Sequence, residues 1–249
     1  MKLSFAVAAA LYATSASAHT IFQEISVNGV AQGRTHGIRV PTFNGIQSSS
    51  KLCSLIKRYH LQRRNQPYKQ PVSQAVVNVP AGATITTQWN HDLNGPNPSN
   101  GDDPISPTHK GPILTYLARI PDATQSTVTG LQWLKIYEDG YDSSTGLWAV
   151  DKMISAQGKV TFTIPKCIPS GQYLMRHEII ALHSAGQYPG AHWFYMECAQ
   201  INVTDGGNAS SATVSFPGAY EGTDPGVTFN LYWPPFTSYT IPGPKVFTC

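Results

Sequence analysis

Short segments in which apolar and polar residues alternate recur along the chain and predict β-strands. Residues 20–27 are apolar-rich and end at Asn28-Gly29, a dipeptide typical of hairpin turns. Residues 83–89 alternate, as do residues 159–164, which stop at Pro165. The remaining predicted strands are rich in β-branched and aromatic residues and lie at 113–118, 172–182, 193–203, 213–216 and 227–233.

This pattern predicts an all-β fold. Beyond residue 18 no stretch keeps a helical period of about 3.6 with capping residues, while 21 glycines and 19 prolines punctuate the chain. We therefore predict an antiparallel β-sandwich of the immunoglobulin or fibronectin type. Its longest loops are expected at 44–71 and 92–110. No internal repeat and no linker to a second module are visible, so residues 19–249 are predicted to form one domain.

The first 18 residues resemble a secretory signal peptide. Lys2 supplies the positive charge, residues 5–12 the apolar stretch, and Ala16-Ser17-Ala18 a cleavage site of small residues. Cleavage after Ala18 would expose His19 as the mature amino terminus. An amino-terminal histidine offers its α-amino nitrogen and a ring nitrogen to one metal ion, a pair that suits Cu(II) when another imidazole completes the plane. A histidine at this position by chance is the alternative.

The charge distribution and the cysteines fit an exported protein. The net charge is +3, and basic residues cluster within 51–69 in a stretch free of acidic residues. This cluster lacks a nucleic-acid-binding motif, so we interpret it as a solvated loop and expect no nucleic-acid partner. No later stretch is long and apolar enough for a membrane span, and a secreted monomer is expected. Four cysteines, none in a C-x-x-C pair, predict two disulfides, and Asn202 and Asn208 begin glycosylation sequons.

Three further residues are candidates for chemistry. His109 lies between prolines and a glycine in a loop that enters a predicted strand, and such a backbone suits a metal ligand, although most loop histidines are surface residues. His183 ends a predicted strand and is either a strand cap or a hydrogen-bonding group near a site. Tyr195 is either a core tyrosine or a weak axial ligand.

Several motifs together resemble one family, the fungal lytic polysaccharide monooxygenases of auxiliary-activity family nine. The matching segments span almost all of the chain after residue 18, in the family's order. They are His-Thr-Ile-Phe at 19–22, Thr-His-Lys-Gly-Pro at 108–112, and further segments at 134–139, 148–151, 176–183, 194–198, 215–220 and 241–244.

The resemblance implies a copper centre. His19 would supply its amino group and a ring nitrogen, His109 a second ring nitrogen, and Tyr195 a long axial contact. His183 matches the family's histidine beside the open copper position, where it would hydrogen-bond the bound oxygen species. The family pattern also implies that Tyr239 stacks on a glucose ring of the substrate, although a core role for this tyrosine is equally compatible with the sequence.

The family's disulfide pattern implies the pairs Cys53–Cys198 and Cys167–Cys249. Around Cys53, however, residues 46–66 depart from the family pattern. A shifted reading frame or a mis-spliced exon explains this departure as well as a genuine variant of the loop does.

A second departure falls beside the axial tyrosine. Family members usually carry glutamine two residues before that tyrosine, where this chain has Trp193. His192 could replace the glutamine only if a β-bulge turned it to the same face of the strand.

The predicted function is oxidative cleavage of cellulose by one bound copper ion, with an electron donor and with dioxygen or hydrogen peroxide, at carbon one, carbon four or both. A glycoside hydrolase is an alternative, with Glu138, Asp139 and Glu178 as candidate carboxylates. A serine esterase is disfavoured because no Gly-x-Ser-x-Gly occurs. A non-catalytic protein that binds copper or polysaccharide is the third possibility.

Overall fold

The computed structural model describes residues 20–42, 68–185 and 193–249. The described elements are thirteen strands and one helix. In chain order they are β1 (Ile21–Val27), β2 (Val30–Ala31), β3 (Ile38–Arg39), β4 (Val77–Pro80), β5 (Thr84–Asn90), β6 (Ile113–Arg119), β7 (Gln132–Asp139), β8 (Tyr141–Asp142), β9 (Leu147–Trp148), α1 (Ala149–Ser155), β10 (Lys159–Thr163), β11 (Gly171–Ala181), β12 (Trp193–Thr204) and β13 (Val214–Ser215).

Two sheets pack face to face, which confirms the predicted β-sandwich. The smaller sheet has the strand order β10-β5-β1-β2, and the larger has the order β13-β7-β6-β11-β12-β3, with β4 parallel to β12. Large apolar side chains from both sheets fill the space between them, among them Phe22 and Trp89 from the smaller sheet and Leu117, Met175 and Ile179 from the larger. Burial of such side chains contributes about 1.5–3 kcal/mol each.

The long strands β11 and β12 form the centre of the larger sheet. They pair without interruption from Gly171 opposite Val203 to Ala181 opposite Trp193. Both strands are buried on two faces, because a second apolar cluster, which includes Leu174, Ile180 and Met196, covers the outer face. A strand that is buried on both faces needs a continuous run of apolar residues rather than alternation, and this explains the long runs in the sequence.

The prediction of a strand at residues 227–233 is wrong. The carbonyl oxygen of the Asn230 side chain accepts hydrogen bonds from the backbone nitrogens of Tyr232 (2.9 Å) and Trp233 (3.3 Å), which forms an Asx turn. The next two residues are prolines, which have no backbone N–H to donate to a sheet. The segment is therefore a loop, and it leaves Tyr232 and Trp233 exposed.

The helix α1, which spans seven residues, has no counterpart among the elements predicted from the sequence. It begins where the Asp151 carboxylate accepts a hydrogen bond from the backbone nitrogen of Trp148 (2.9 Å). Its buried side chains are Ala149, Val150 and Met153. A helix of two turns is too short to produce a periodic signal, and tertiary packing stabilises it.

Two further features concern the surface. Within the described part of the chain, no helix has the length and apolar character needed to cross a membrane.

The two sequon asparagines differ in their surroundings. The Asn202 side chain lies in β12 and donates a hydrogen bond to the Asn78 side chain (2.9 Å), whereas Asn208 is exposed in the loop that follows. Glycosylation at either residue stays a prediction.

Candidate metal centre

His109 lies at the end of a loop that connects β5 to β6. The Asp103 carboxylate organises this loop by accepting hydrogen bonds from the backbone nitrogens of His91 (2.6 Å) and Asn97 (2.8 Å). The imidazole of His109 is buried, and its Nδ1 lies 3.1 Å from the Thr108 hydroxyl. The nitrogen on the opposite side of the ring, Nε2, is therefore the one suited to bind a metal.

Gly111 allows this loop to approach β11 closely. A Cβ atom at position 111 would lie 1.9 Å from the carbonyl oxygen of Ile180, so a larger residue would force the two segments apart. The contact continues where the Leu182 nitrogen donates to the Lys110 carbonyl (2.8 Å). As a result, the imidazole centroids of His109 and His183 lie 3.9 Å apart.

His183 follows the end of β11 and packs against Trp193, the first residue of β12. The two rings stack with a centroid distance of 6.0 Å and an interplanar angle of 26°. Burial lowers the pKa of His183, so the neutral imidazole is favoured. Its Nδ1 is buried and has no hydrogen-bond partner in the part of the chain that the structure describes. Such an atom fits a site in which a ligand completes the hydrogen bonding.

Tyr195 lies two residues after Trp193, on the same face of β12. Its ring centroid is 6.0 Å from that of His109, and the residue is 2% exposed. Burial raises the pKa of the phenol, so Tyr195 remains protonated at ordinary pH. A protonated phenol would suit a weak contact to a metal better than it would suit the role of a strong anionic ligand.

The structure thus brings together three of the residues predicted from the sequence: His109, His183 and Tyr195. His19 and His192 lie outside the described residues, so a ligand role for the first and a supporting role for the second stay predictions. The residues that the structure describes contain no group of three or more His, Cys, Asp or Glu arranged around a metal. A centre that includes His109 therefore requires another donor.

A family model described as Auxiliary Activity family 9 (formerly GH61) matches residues 19–239. The chain belongs to this family. The match begins at His19, the residue that the predicted signal-peptide cleavage would expose. Family 9 enzymes are copper-dependent, extracellular oxidoreductases that cleave polysaccharides, so this protein is a lytic polysaccharide monooxygenase by family.

Similar proteins include the AA9 family lytic polysaccharide monooxygenase C of Thermothelomyces thermophilus, 46% identical over 96% of this chain and 97% of the relative. Among solved structures, CvAA9A matches with a TM-score of 0.71 and 33% identity, covering 92% of this chain and 98% of that one. A structure titled as a cellulose-active polysaccharide monooxygenase from M. thermophila matches with a TM-score of 0.64 and 27% identity, over 92% and 99% of the two chains.

One family disulfide is confirmed. Cys167 and Cys249 are bonded to each other and join the end of the chain to the segment after β10. Cys198 is also disulfide-bonded. Its expected partner, Cys53, lies outside the described residues, so that pairing stays a prediction.

The carboxylates considered for a hydrolase have structural roles instead. Glu178 is fully buried and accepts hydrogen bonds from Arg176 and Tyr220. Glu138 accepts from the buried Lys135 ammonium (2.7 Å), and Asp139 forms an ion pair with Lys152 (2.9 Å). A carboxyl group that cannot reach solvent cannot protonate a glycosidic oxygen, and this removes Glu178 as a general acid.

Exposed aromatic residues lie beside His183, in the loop that the sequence suggested was a strand. Tyr232 and Trp233 are 71% and 72% exposed, and the Tyr232 hydroxyl donates to the His183 carbonyl (3.2 Å). Tyr239 lies deeper, where it packs against Trp148 (4.8 Å between centroids) and donates a hydrogen bond to the Gly226 carbonyl (2.5 Å). Tyr232 and Trp233 are not recognisable as surface residues from the sequence, because aromatic residues are as common in strands as on binding surfaces.

Two buried polar residues were also missed. His177 is fully buried between the sheets, and its ring nitrogens bond to the hydroxyls of Thr87 (2.9 Å) and Thr115 (2.8 Å). Glu197, its cross-strand neighbour, accepts a hydrogen bond from the backbone nitrogen of Phe22 (2.8 Å). Burial lowers the pKa of His177 to about 3 and raises the pKa of Glu197 to about 8. Period-two spacing alone would have placed both on the core face of their strands.

Proposed function

We propose that this protein is a secreted copper enzyme that oxidatively cleaves the β-1,4-glucosidic bonds of cellulose. The observation that carries the proposal is the convergence of His109, His183 and Tyr195 at one end of the larger sheet, in a chain whose family match begins at His19. The cellulose-active structure named above supports the choice of substrate. Hydrogen would be removed at carbon one, carbon four or both.

The metal would be held by nitrogen ligands. His19 would provide its amino group and one ring nitrogen, His109 would provide Nε2, and the Tyr195 hydroxyl would make a weaker contact. The contact between Thr108 and Nδ1 of His109 supports the choice of Nε2, because it fixes the ring orientation. Amine and imidazole donors bind both Cu(I) and Cu(II), and copper would supply the one-electron chemistry that activates the oxidant.

The overall reaction needs an external donor. Hydroxylation of a C–H bond by dioxygen consumes two electrons and two protons and releases one water molecule, whereas hydroxylation by hydrogen peroxide releases water without further electrons. The hydroxylated carbon then loses its glycosidic bond, which breaks the chain. A small molecule or a partner protein would deliver the electrons.

His183 would act as the residue that donates or accepts a proton during the oxidation. Its buried Nδ1 lacks a partner among the described residues, and its ring lies against that of His109. A positioned imidazole that gives or takes a proton contributes typically about 100-fold to 10,000-fold to a rate. Trp193 stacks on the other side of His183 and occupies the position at which the family pattern has glutamine. An indole cannot accept a hydrogen bond, so in this chain the orientation of His183 would depend on stacking, unless His192 assists.

The substrate surface would surround this centre. Tyr232 and Trp233 are exposed, and the Tyr232 hydroxyl bonds to the His183 carbonyl, so this pair would suit stacking on the flat faces of glucose rings. Tyr239 would contribute the exposed edge of its ring, since its hydroxyl is already bonded to Gly226. The protein would act as a monomer with residues 19–249 as one catalytic domain.

A non-catalytic protein that binds copper or polysaccharide is the second candidate, and Trp193 is the observation that favours it. Product analysis distinguishes the two. Copper-loaded protein that starts at His19 is incubated with amorphous cellulose, with and without ascorbate, and the soluble products are read by mass spectrometry. We expect aldonic-acid or ketoaldose masses only with reductant, and none from His109→Ala. A folded, copper-bound wild type that yields no oxidised product would refute the proposed activity and support the binding role.

A further inference from the structure

The start of β1 is held by a side chain from the opposite sheet. The backbone nitrogen of Phe22 donates a hydrogen bond to Oε2 of Glu197 at 2.8 Å. Phe22 belongs to the smaller sheet and Glu197 to β12 of the larger one, so the bond crosses the interior of the sandwich. Glu197 is 3% exposed, which means that the contact is shielded from water. A buried backbone N–H needs a partner, and here a carboxyl group provides it.

An irregularity in β1 explains why this N–H bonds to a side chain. Phe22 pairs with Trp89 of β5, but the next pair joins Glu24 to Gln88, so Gln23 is an extra residue in the ladder. Such a bulge bends the strand and interrupts its hydrogen bonding. On the other edge of β1, β2 begins only opposite Ser26 and Val27. On this edge, the first residues of β1 therefore depend on contacts from outside the sheet.

Gln23 provides two more of these contacts. Its side-chain nitrogen donates to the Asp92 carbonyl, and its own carbonyl accepts a hydrogen bond from the Thr35 nitrogen (2.7 Å). Asp92 lies at the beginning of the loop that carries His109. The bulge thus connects the start of β1 to the His109 loop, while Glu197 connects it to the strand that carries Tyr195.

We propose that Glu197 is a positioning residue for the copper ligand at the amino terminus. This inference rests on the proposed function, since it assumes that His19 binds the metal. His19 lies three residues before Phe22, and three residues span at most about 10 Å. The position of Phe22 therefore limits where His19 can lie. Glu197 fixes the position of Phe22 through its hydrogen bond, and it lies two residues after Tyr195 on the same face of β12. The same strand, β12, thus positions the amino-terminal ligand through Glu197 and also carries Tyr195.

Copper affinity in matched variants tests this inference. Glu197→Leu removes the acceptor at similar volume, whereas Glu197→Gln keeps an oxygen at the same distance from Phe22. Glu197→Asp serves as a second, milder variant, because it keeps the carboxyl group but withdraws it by one methylene. Gln200→Leu is the control: Gln200 is a fully buried residue of the same strand whose amide bonds to Ser73 and Ala75, away from the start of β1.

Each protein is prepared with His19 as the verified first residue, and Cu(II) binding is measured by calorimetry and by electron paramagnetic resonance. We expect Glu197→Leu to weaken copper binding by about 10-fold to 100-fold and to change the spectrum. Loss of a group that orients a metal ligand typically has an effect of this size. Glu197→Asp should have a smaller effect in the same direction, and Glu197→Gln should resemble the wild type. Gln200→Leu should lower the melting temperature but leave the copper affinity and the spectrum unchanged.

Unchanged copper affinity and spectra in Glu197→Leu and Glu197→Asp would overturn the inference, as would an equal loss in Gln200→Leu. If Glu197→Leu does not fold, the comparison of Glu197→Asp with Glu197→Gln decides. A wild-type protein that binds no copper would refute the proposed metal centre itself, and this outcome is distinct from copper binding that does not depend on residue 197.

Discussion

His177 makes the stability of this protein depend on pH in a direction that the structure determines. Its imidazole is fully buried, lies 5.4 Å from the rings of Phe22 and Trp89, and bonds to two threonine hydroxyls. Burial lowers its pKa from 6.5 to about 3. Between these values the unfolded chain binds a proton that the folded protein does not. The contribution of His177 is therefore fully present above pH 6.5 and is lost as the pH falls toward 3.

The size of the effect follows from the shift. Each pH unit below the unfolded pKa lowers the free energy of unfolding by about 1.4 kcal/mol. Between pH 7 and pH 5, the His177 contribution should fall by about 2 kcal/mol, since the first half-unit lies above the unfolded pKa. The change is a large fraction of the about 5–15 kcal/mol that stabilises a typical domain.

The substitution His177→Gln removes the titrating group and keeps an amide near the threonines. Urea unfolding of the metal-free proteins at pH 7 and pH 5 gives the free energy of unfolding of variant and wild type. Comparing the two proteins at each pH cancels the contributions that their shared titrating groups make to the free energy of unfolding. We expect the variant to gain about 2 kcal/mol relative to wild type on going to pH 5. The same substitution at the exposed His36 serves as the control for replacing a histidine by glutamine. A constant difference between His177→Gln and wild type would refute the reasoning.

Three further predictions concern the disulfide, the surface and the buried carboxylate. Replacing Cys167 and Cys249 by serine frees the unfolded chain from a cross-link between residues 82 apart. The added entropy of the unfolded chain should lower the free energy of unfolding in urea by about 4.5 kcal/mol, and an unchanged midpoint would contradict this reasoning. Trp233→Ala should release protein from cellulose in a pull-down while copper affinity stays the same, and undiminished binding would remove this residue from the substrate surface. Glu178→Gln leaves Arg176 buried without its anionic partner and should cost about 3–5 kcal/mol in the same unfolding assay. Equal wild-type and variant stability would contradict the structural role of Glu178.

The strands that alternate or form long apolar runs could be predicted from the sequence, and β7 could not. Its pattern is obscured by Lys135, a charged residue at a core position. The ammonium group is tolerated there because it bonds to Glu138 and to the Pro242 carbonyl, more than a hundred residues away in sequence. The opposite error occurred at residues 227–233, where apolar residues suggested a strand but the Asn230 side chain replaces the ladder hydrogen bonds. The first failure comes from a polar side chain whose partner is distant in sequence. The second comes from a local Asx turn, which the pattern of apolar residues does not register.

The site was predictable where the sequence constrains the backbone. Proline and glycine around His109 indicated a rigid loop, and the close approach of Gly111 to Ile180 shows why the glycine is needed. Glu197 and the exposed Trp233 were not predictable in the same way. Period-two spacing places Glu197 on the core face of β12, but its contact with Phe22 depends on a bulge in another strand. The exposure of Trp233 depends on the path of a loop, so both roles follow from tertiary structure.

The most direct test of oxidative cleavage is the origin of the oxygen atom in the product. The copper-loaded protein, reduced with ascorbate under oxygen-18 gas in ordinary water, is incubated with cellulose, and the aldonic acids are analysed by mass spectrometry. We expect oxidised oligosaccharides that disappear when a chelator removes copper, with the heavy isotope retained in the acids formed by attack at carbon one. Products with unoxidised ends and oxygen from water alone, formed without ascorbate, would show that the protein hydrolyses its substrate and would contradict the account.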